Sequence, residues 1–406
     1  MKTHALVKHL IPSFPLILIV LLFQYVSSTA CTTGVVSGRF TANGRPMIWK
    51  VRDTDFLENA VRRYVVGNME YVGLVNANDT TGSQIWGGHN SFGFAIMNSA
   101  SFNVNEGYQG TWVDREGFFM HEALRTCATL GDFERLLNDR PSPKGLAAHF
   151  GVIDAQGGAA FYEVNNETWV KYDANDPIQA PRGYVLRTNY SETGVKGKGI
   201  GFIRRQTAEQ LFAGVPEGQL TIPLVLQNFS RSLYHPLLEV DYRQEGLLQP
   251  FSQRFVATDD MICRYGTAST ILVEGVRQGE DPKETTSWIQ VGLPFVSVSL
   301  PVFVGHSLPT LLTSAQSGRI PPLSQACMSL RKLVYPLGDR SDGYHYLKIQ
   351  YLFNNEGTGI TQRIEALEQD IFRMVEQERG GNIPRLYEII EEKVRTCYAT
   401  FPEIEL

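Results

Sequence analysis

Asn43-Gly44 stands between two stretches rich in β-branched and apolar residues, 32–40 (TTGVVSGRF) and 46–54 (PMIWKVRDT). This dipeptide is the strongest short-range hairpin signal a sequence carries, because both residues accept the positive φ of a tight turn. A two-residue turn there folds the beginning of the chain back on itself. It pairs Arg52 with Val35 and Phe56 with Cys31. Side chains alternate along a strand, so Arg52 and Cys31 share a face. Asp55 falls on the other face and reaches the beginning of the first strand only where pairing stops or bulges.

What precedes the hairpin gives Cys31 its interest. Residues 1–30 read as a secretory signal: Lys2 and Lys8 make a positive start, and 15–26 (PLILIVLLFQYV) is apolar. Small residues follow, with Ser28 and Ala30 where a signal peptidase reads. The apolar stretch is about a dozen residues, short of the roughly 20 that span a bilayer. Removal of this segment makes Cys31 the first residue, carrying a thiol beside a free α-amine. Those are a nucleophile and its own general base. The amine, with a reference pKa of about 7.7–8.0, is partly unprotonated near neutral pH. A lipoprotein also begins at a cysteine, but usually with leucine where Ser28 stands, which favours a free Cys31.

Hydrophobic residues at 43% and aromatics at 11% indicate a globular chain with a full core. The formal charge is −5, and no basic run with interleaved aromatics occurs, which argues against nucleic-acid binding. No later stretch is apolar for long enough to span a membrane. The five cysteines (31, 127, 263, 327, 397) show no CxxC spacing. Cys31 is the candidate free thiol, and the other four either form two disulfides or are buried and reduced.

Strands are expected at 64–66, 71–76, 93–101, 150–154, 159–164, 169–172, 183–189, 267–276 and 288–304. Helices are expected at 116–129, at 132–138 with Asp132 as N-cap, at 202–212 and at 223–230. Past Asp342 the chain becomes charged and helical. Ile364, Leu367, Ile371 and Val375 lie on one face of a helix over 363–378, and a last helix over 383–398 begins at Pro384. Strand layers covered by helices follow from this order.

Three patterns carry chemistry: Cys31-Thr32-Thr33, the R-x-x-D of Arg52-Asp53-Thr54-Asp55, and Arg187-Thr188-Asn189-Tyr190. With Asn98 they resemble the N-terminal nucleophile (Ntn) hydrolases, and more narrowly the choloylglycine hydrolase and penicillin acylase-like group. Members of that group cut or form linear amide bonds. The resemblance covers most of 31–305. It implies an α+β fold, a four-layer αββα sandwich of two antiparallel sheets between helices. The division expected is a signal at 1–30, the sandwich at 31–310 and a helical C-terminal extension at 311–406. It implies Cys31 as nucleophile, Arg52 beside the thiol, and Asp55 orienting the amine, with Asp53 as the competing aspartate. Asn98 and Asn189 would stabilise the developing oxyanion, at about 3–4 kcal/mol each. A later arginine falls on Arg204, with Arg205 as the alternative. Where relatives carry T-N-x-P, this chain has Ser191 in place of the proline.

The function so implied is hydrolysis of an N-acyl amine or amino-acid conjugate through a Cys31 thioester, outside the cytoplasm, with no cofactor. The partner is a small-molecule amide, and self-association stays open. Two alternatives remain, an acyltransferase using the same thioester and a surface binding module with a lipidated Cys31. No internal self-cleavage is expected, since signal removal exposes the cysteine. Phe102, Tyr108, Trp112, Phe118 and Phe119 are candidates for an acyl pocket or for core. The histidines show no HExxH and no cluster, and neither a Gly-x-Ser-x-Gly elbow nor a P-loop occurs. Asn78, Asn166, Asn189 and Asn228 begin N-x-S/T sequons.

Overall fold

The structure, a computed structural model, describes residues 30–406 apart from 112, 245–254, 315, 317, 339, 341, 403 and 405. The stretch expected to be a signal, up to Thr29, and Trp112 lie outside the described residues. Two antiparallel sheets form the centre. The first holds β1 (Ala30–Val36), β2 (Met47–Asp53), β10 (Tyr184–Arg187), β14 (Thr267–Glu274), β15 (Thr286–Gln290) and β16 (Leu300–Val302), in the order β10-β1-β2-β14-β15-β16. The second is a meander of β3 (Asn59–Val66), β4 (Met69–Asn76), β5 (Gly87–Asn90), β6 (Ala95–Ala100), β7 (Ala148–Ile153), β8 (Ala159–Val164) and β9 (Trp169–Asp173). Two small ribbons pair β11 (Tyr234–His235) with β12 (Val240–Asp241) and β13 (Phe255–Ala257) with β17 (Tyr346–Lys348).

The sheets pack face to face, with β1 and β2 lying over β6 and β7. Alternation sends Cys31, Thr33 and Val35 of β1, and Ile48, Lys50 and Arg52 of β2, into the space between them. Val35 and Ile48 join Met97, Ile153 and Phe161 of the second sheet in one core. Gly151 is needed for this approach: a Cβ there would come within 2.3 Å of Met97 Cε and 2.8 Å of Val35 Cγ2.

Each outer face is apolar and carries helices. Helices α1 (Glu116–Thr126) and α2 (Leu130–Asp139) cover the second sheet, where Phe119, Phe133, Phe150 and Tyr162 pack edge to face or tilted. Helices α3 (Phe202–Ala213), α4 (Pro322–Val334), α5 (Ile360–Gln377) and α6 (Ile383–Tyr398) cover the first. Trp49 lies 5.9 Å from Phe212 of α3, and Trp288 lies 4.9 Å from Phe372 of α5, between ring centroids. Each such side chain, fully buried, contributes about 1.5–3 kcal/mol. The result is the expected αββα sandwich, and its C-terminal helices share one hydrophobic core with the first sheet.

Several local expectations are corrected. Asn43-Gly44 does not close the hairpin. The strands part at Val36, a 3₁₀ turn at Gly38–Phe40 follows, and β2 begins only at Met47. Buried Phe40 and the bridge from Thr41 to Leu220 hold this wide connection against the body of the protein. The register therefore slides by four residues, so that Cys31 faces Arg52 and Val35 faces Ile48. The shift is even, and Arg52 keeps the face it shares with Cys31. Asp132 is not the N-cap of α2: Thr129 is, with Asp132 closing a capping box at N3. The apolar run expected as one strand over 288–304 is broken at Pro294 into β15, a 3₁₀ turn and β16. Strand β5 and helix α4 were not foreseen. All five cysteines are free thiols, so the two-disulfide alternative is not realised.

Candidate functional site

Cys31 is the second residue of β1, beside β2 and just short of where β10 begins to pair at Thr33. Asn189, two residues beyond β10, fills that gap. The Cys31 backbone N–H donates to Asn189 Oδ1 at 2.9 Å, and Asn189 Nδ2 donates to Ala100 O at 2.8 Å. Arg204, in the first turn of α3, fastens the pair. Its Nη1 donates to Cys31 O at 2.6 Å and to Thr32 Oγ1 at 3.1 Å, and its Nη2 to Asn189 Oδ1 at 2.9 Å. Gly201, with φ of +94°, starts that helix, and a Cβ on it would lie 2.5 Å from Arg204 Nη2. Arg205 points elsewhere, to Glu192 and Glu209.

Arg52 is buried opposite Cys31. Its guanidinium donates to Asn59 Oδ1 at 2.7 Å and Asn76 Oδ1 at 2.9 Å and lies 4.6 Å from the Trp86 ring centroid. The two aspartates separate clearly. Asp53 is buried, paired with Ala30 in the sheet, and accepts from Arg264 Nε at 2.7 Å and Thr267 Oγ1 at 2.6 Å. Asp55 is exposed on the bend after β2. With the true register, Asp53 and not Asp55 is the carboxylate beside Cys31.

Asn98 of β6 is buried and held at both ends of its amide. Lys50 Nζ donates to Asn98 Oδ1 at 2.6 Å, and Asn98 Nδ2 donates to Glu116 Oε2 at 2.6 Å. Lys50 and Glu116 were absent from the sequence reading. The signal for Lys50 was a lysine inside an apolar strand, at the same parity as Arg52.

Burial pushes the Cys31 thiol up, against the opposing charges of Lys50 and Arg52. Burial lowers Lys50 to about 8, and Arg52 and Arg204 to about 10. Burial and nearby Asp114 push Glu116 well above the usual carboxylate range. A 420 Å³ cavity lies alongside, lined in part by Ala100, Phe102, Asp114 and Glu116. It thus shares residues with the hydrogen bonds of both Asn189 and Asn98. Of the four candidate aromatics among the described residues, only Phe102 lines this cavity. Phe118 is about half exposed, and Phe119 belongs to the core under α1. Asn166 and Asn189 are buried, which closes two of the four sequons. Among the described residues no group of three His, Cys, Asp or Glu side chains is placed to hold a metal ion, and no helix is long and apolar enough to cross a membrane.

The chain is similar to penicillin V acylase from Agrobacterium tumefaciens. The identity is 12%, covering 68% of this chain and 86% of that one, with a TM-score of 0.37. It is also similar to conjugated bile acid hydrolase from Clostridium perfringens, at 11% identity over 67% of this chain and 92% of that one, with a TM-score of 0.35. No family profile and no curated protein sequence matches the chain.

Proposed function

We propose that this protein, once its signal segment is removed, is a cysteine amidase of the Ntn type that cleaves a linear amide through a Cys31 thioester. The observation that carries the reading is the hydrogen bond from Cys31 N to Asn189 Oδ1, locked by Arg204. It holds the nitrogen that becomes the α-amine at a fixed place beside the thiol. Because burial keeps the thiol protonated near neutral pH, attack needs a proton acceptor, and the α-amine is the nearest one after trimming. The amine takes the thiol proton and the thiolate attacks the amide carbonyl. Asn98 and Asn189 each have one amide N–H engaged in the fold, and the second of each is assigned to the oxyanion. The protonated amine returns its proton to the leaving nitrogen, and water then hydrolyses the thioester. Lys50 and Arg52 add positive charge facing the thiolate. Asp53 stands across the ladder from the position that Ala30 vacates, next to the new terminus.

The substrate is a small acyl amide that enters through the cavity bounded by Phe102 and Glu116. The burial of Cys31 between sheets supports a free thiol over a lipidated one, since a lipid on Sγ would have to lie inside the sandwich. The experiment is mass analysis of the trimmed protein after mixing with a panel of N-acyl amino acids and amines. An acyl adduct on Cys31 and turnover that vanishes in Cys31→Ala are expected. Undiminished turnover in Cys31→Ala would refute the reading.

A further inference from the structure

We propose that Lys50 and Glu116 are positioning residues, which hold the Asn98 amide in the orientation that lets it donate to an oxyanion formed at Cys31. The proposal rests on the amidase reading above and assigns the orienting of one donor to two residues outside it.

The argument begins with what each group can do. Lys50 lies on β2, on the face it shares with Arg52, and pairs with Thr33 two residues along β1 from Cys31. Its ammonium donates to Asn98 Oδ1 at 2.6 Å and to Trp86 O at 2.9 Å. An ammonium only donates, so the Asn98 atom it meets must be the oxygen. The nitrogen is thereby turned toward α1, where Glu116 Oε2 accepts one N–H at 2.6 Å. A primary amide nitrogen carries a second N–H, and that one is left for a ligand. Flipping the amide would set Nδ2 against the ammonium, donor to donor, and would turn an oxygen lone pair toward developing negative charge. Trp86 O holds the ammonium in place, so the orientation is set from both sides of the sandwich.

Packing alone does not account for this pair. Lys50 is 1% exposed and Glu116 4% exposed. Ile48, on the same face of β2, shows that the space between the sheets accepts an apolar side chain, and a buried charge is costly unless fully partnered. The groups facing Lys50 are Cys31 on β1, Arg52 on β2 and Glu116 on α1, with Asp114 facing Glu116 from the residues before α1. With Lys50 lowered to about 8 by burial, its ammonium is charged below that pH and its hold on Asn98 Oδ1 loosens above it.

The test uses the trimmed protein and 1,1,1-trifluoro-3-phenylpropan-2-one, whose hindered, hydrated carbonyl resists the thiazolidine closure that an aldehyde undergoes with a terminal aminothiol. The Cys31 sulfur bonds to the carbonyl carbon, the π pair moves to oxygen, and the thiol proton passes to the α-amine. The thiohemiketal oxyanion, stabilised by the trifluoromethyl group, then sits where a tetrahedral intermediate would. NMR titration gives the affinity, and melting curves confirm folding. Lys50→Met and Glu116→Leu are each expected to weaken the adduct about 10²-fold, the scale of misplacing a catalytic group. Lys50→Arg should keep the adduct and extend it to higher pH than wild type, because guanidinium does not titrate there. Unchanged affinity in the folded Met and Leu variants, an unshifted pH profile in Lys50→Arg, or no adduct in wild type would each overturn the clamp. The Lys50→Arg profile serves if the other two variants do not fold. An adduct that depends on the clamp in a protein that cleaves no amide would leave the clamp standing and remove the amidase reading. Amide cleavage with a clamp-independent adduct would do the reverse.

Discussion

Arg204 donates to three acceptors from one buried guanidinium, and two of them belong to Cys31 and Asn189. Arg204→Met would remove all three donations away from water and leave Asn189 Oδ1 with the Cys31 N–H alone, at a cost of about 3 kcal/mol. Urea denaturation should show that loss, and amide turnover should fall further than stability, because Asn189 would no longer be fixed. Equal, small effects on both would count against this role. At this scale the sequence was informative where chemistry depends on residue type. Cys31, Arg52, Asn189 and Arg204 are brought together by strand pairing and hydrogen bonds, and Asn98 is tied to Lys50 of the same strand as Arg52. The choice between Asp53 and Asp55 was not legible, because it depends on how many residues the preceding connection consumes. Lys50 and Glu116 were not legible because their pairing joins different sheets and a helix through Asn98.

Two strands of the second sheet carry a buried histidine with its ring nitrogen on a serine. His89 of β5 meets Ser287 Oγ at 2.7 Å, and His149 of β7 lies between Ser99 Oγ at 2.9 Å and Ser191 Oγ at 2.8 Å. Burial lowers both to about 3. The unfolded chain binds protons at these positions below roughly pH 6.5 while the folded chain does not. Stability is therefore complete above that pH and declines as pH falls from it toward 3. Denaturation midpoints at pH 7 and pH 5 should differ in that sense, and His149→Gln should reduce the difference. Element-level structure was readable where periodicity is long, as in α5, α6 and the paired strands β7 and β8. The register of β1 and β2 was not, because Phe40 and the Thr41 bridge to Leu220 fix it through contacts remote in sequence. The strand expected over 288–304 failed for a nearer reason, since Pro294 cannot donate within a ladder.

For the whole molecule, the decisive contact is the buried pair of Arg231 and Glu368. Arg231 Nη1 and Nη2 meet Glu368 at 2.7 Å and 2.8 Å, and Glu368 Oε1 also accepts from Ser299 N at 2.7 Å. Arg231 further donates to Pro294 O and Ser297 O, so α5 is tied to the turn between β15 and β16. Glu368→Ala would leave the buried guanidinium with only Glu365, at 3.6 Å, as a counter-charge, at about 3 kcal/mol, the low end of breaking a buried pair. Calorimetry should register this as one lowered transition, since α5 and the first sheet share a core. Two separate transitions would mean that the C-terminal helices unfold independently. The arrangement of layers could be anticipated from the order of elements, whereas this tie between distant segments could not.

Strand β1 runs inside its sheet, bonded to β2 along its full length and to β10 from Thr33 to Val36. Its amides can exchange with solvent only when ladders on both sides open, which places it among the slowest-opening parts of the fold. Among the described residues between β6 and α1, which contribute Phe102 and Asp114 to the cavity wall, there are only turns, bends and irregular chain. Hydrogen exchange should therefore be days slower at Val35 than at Gly107. On the proposed function, this slow strand carries the nucleophile at its end, and a ligand would be admitted by motion of the cavity wall, so the rate of entry would follow solvent viscosity and the chemistry at sulfur would not.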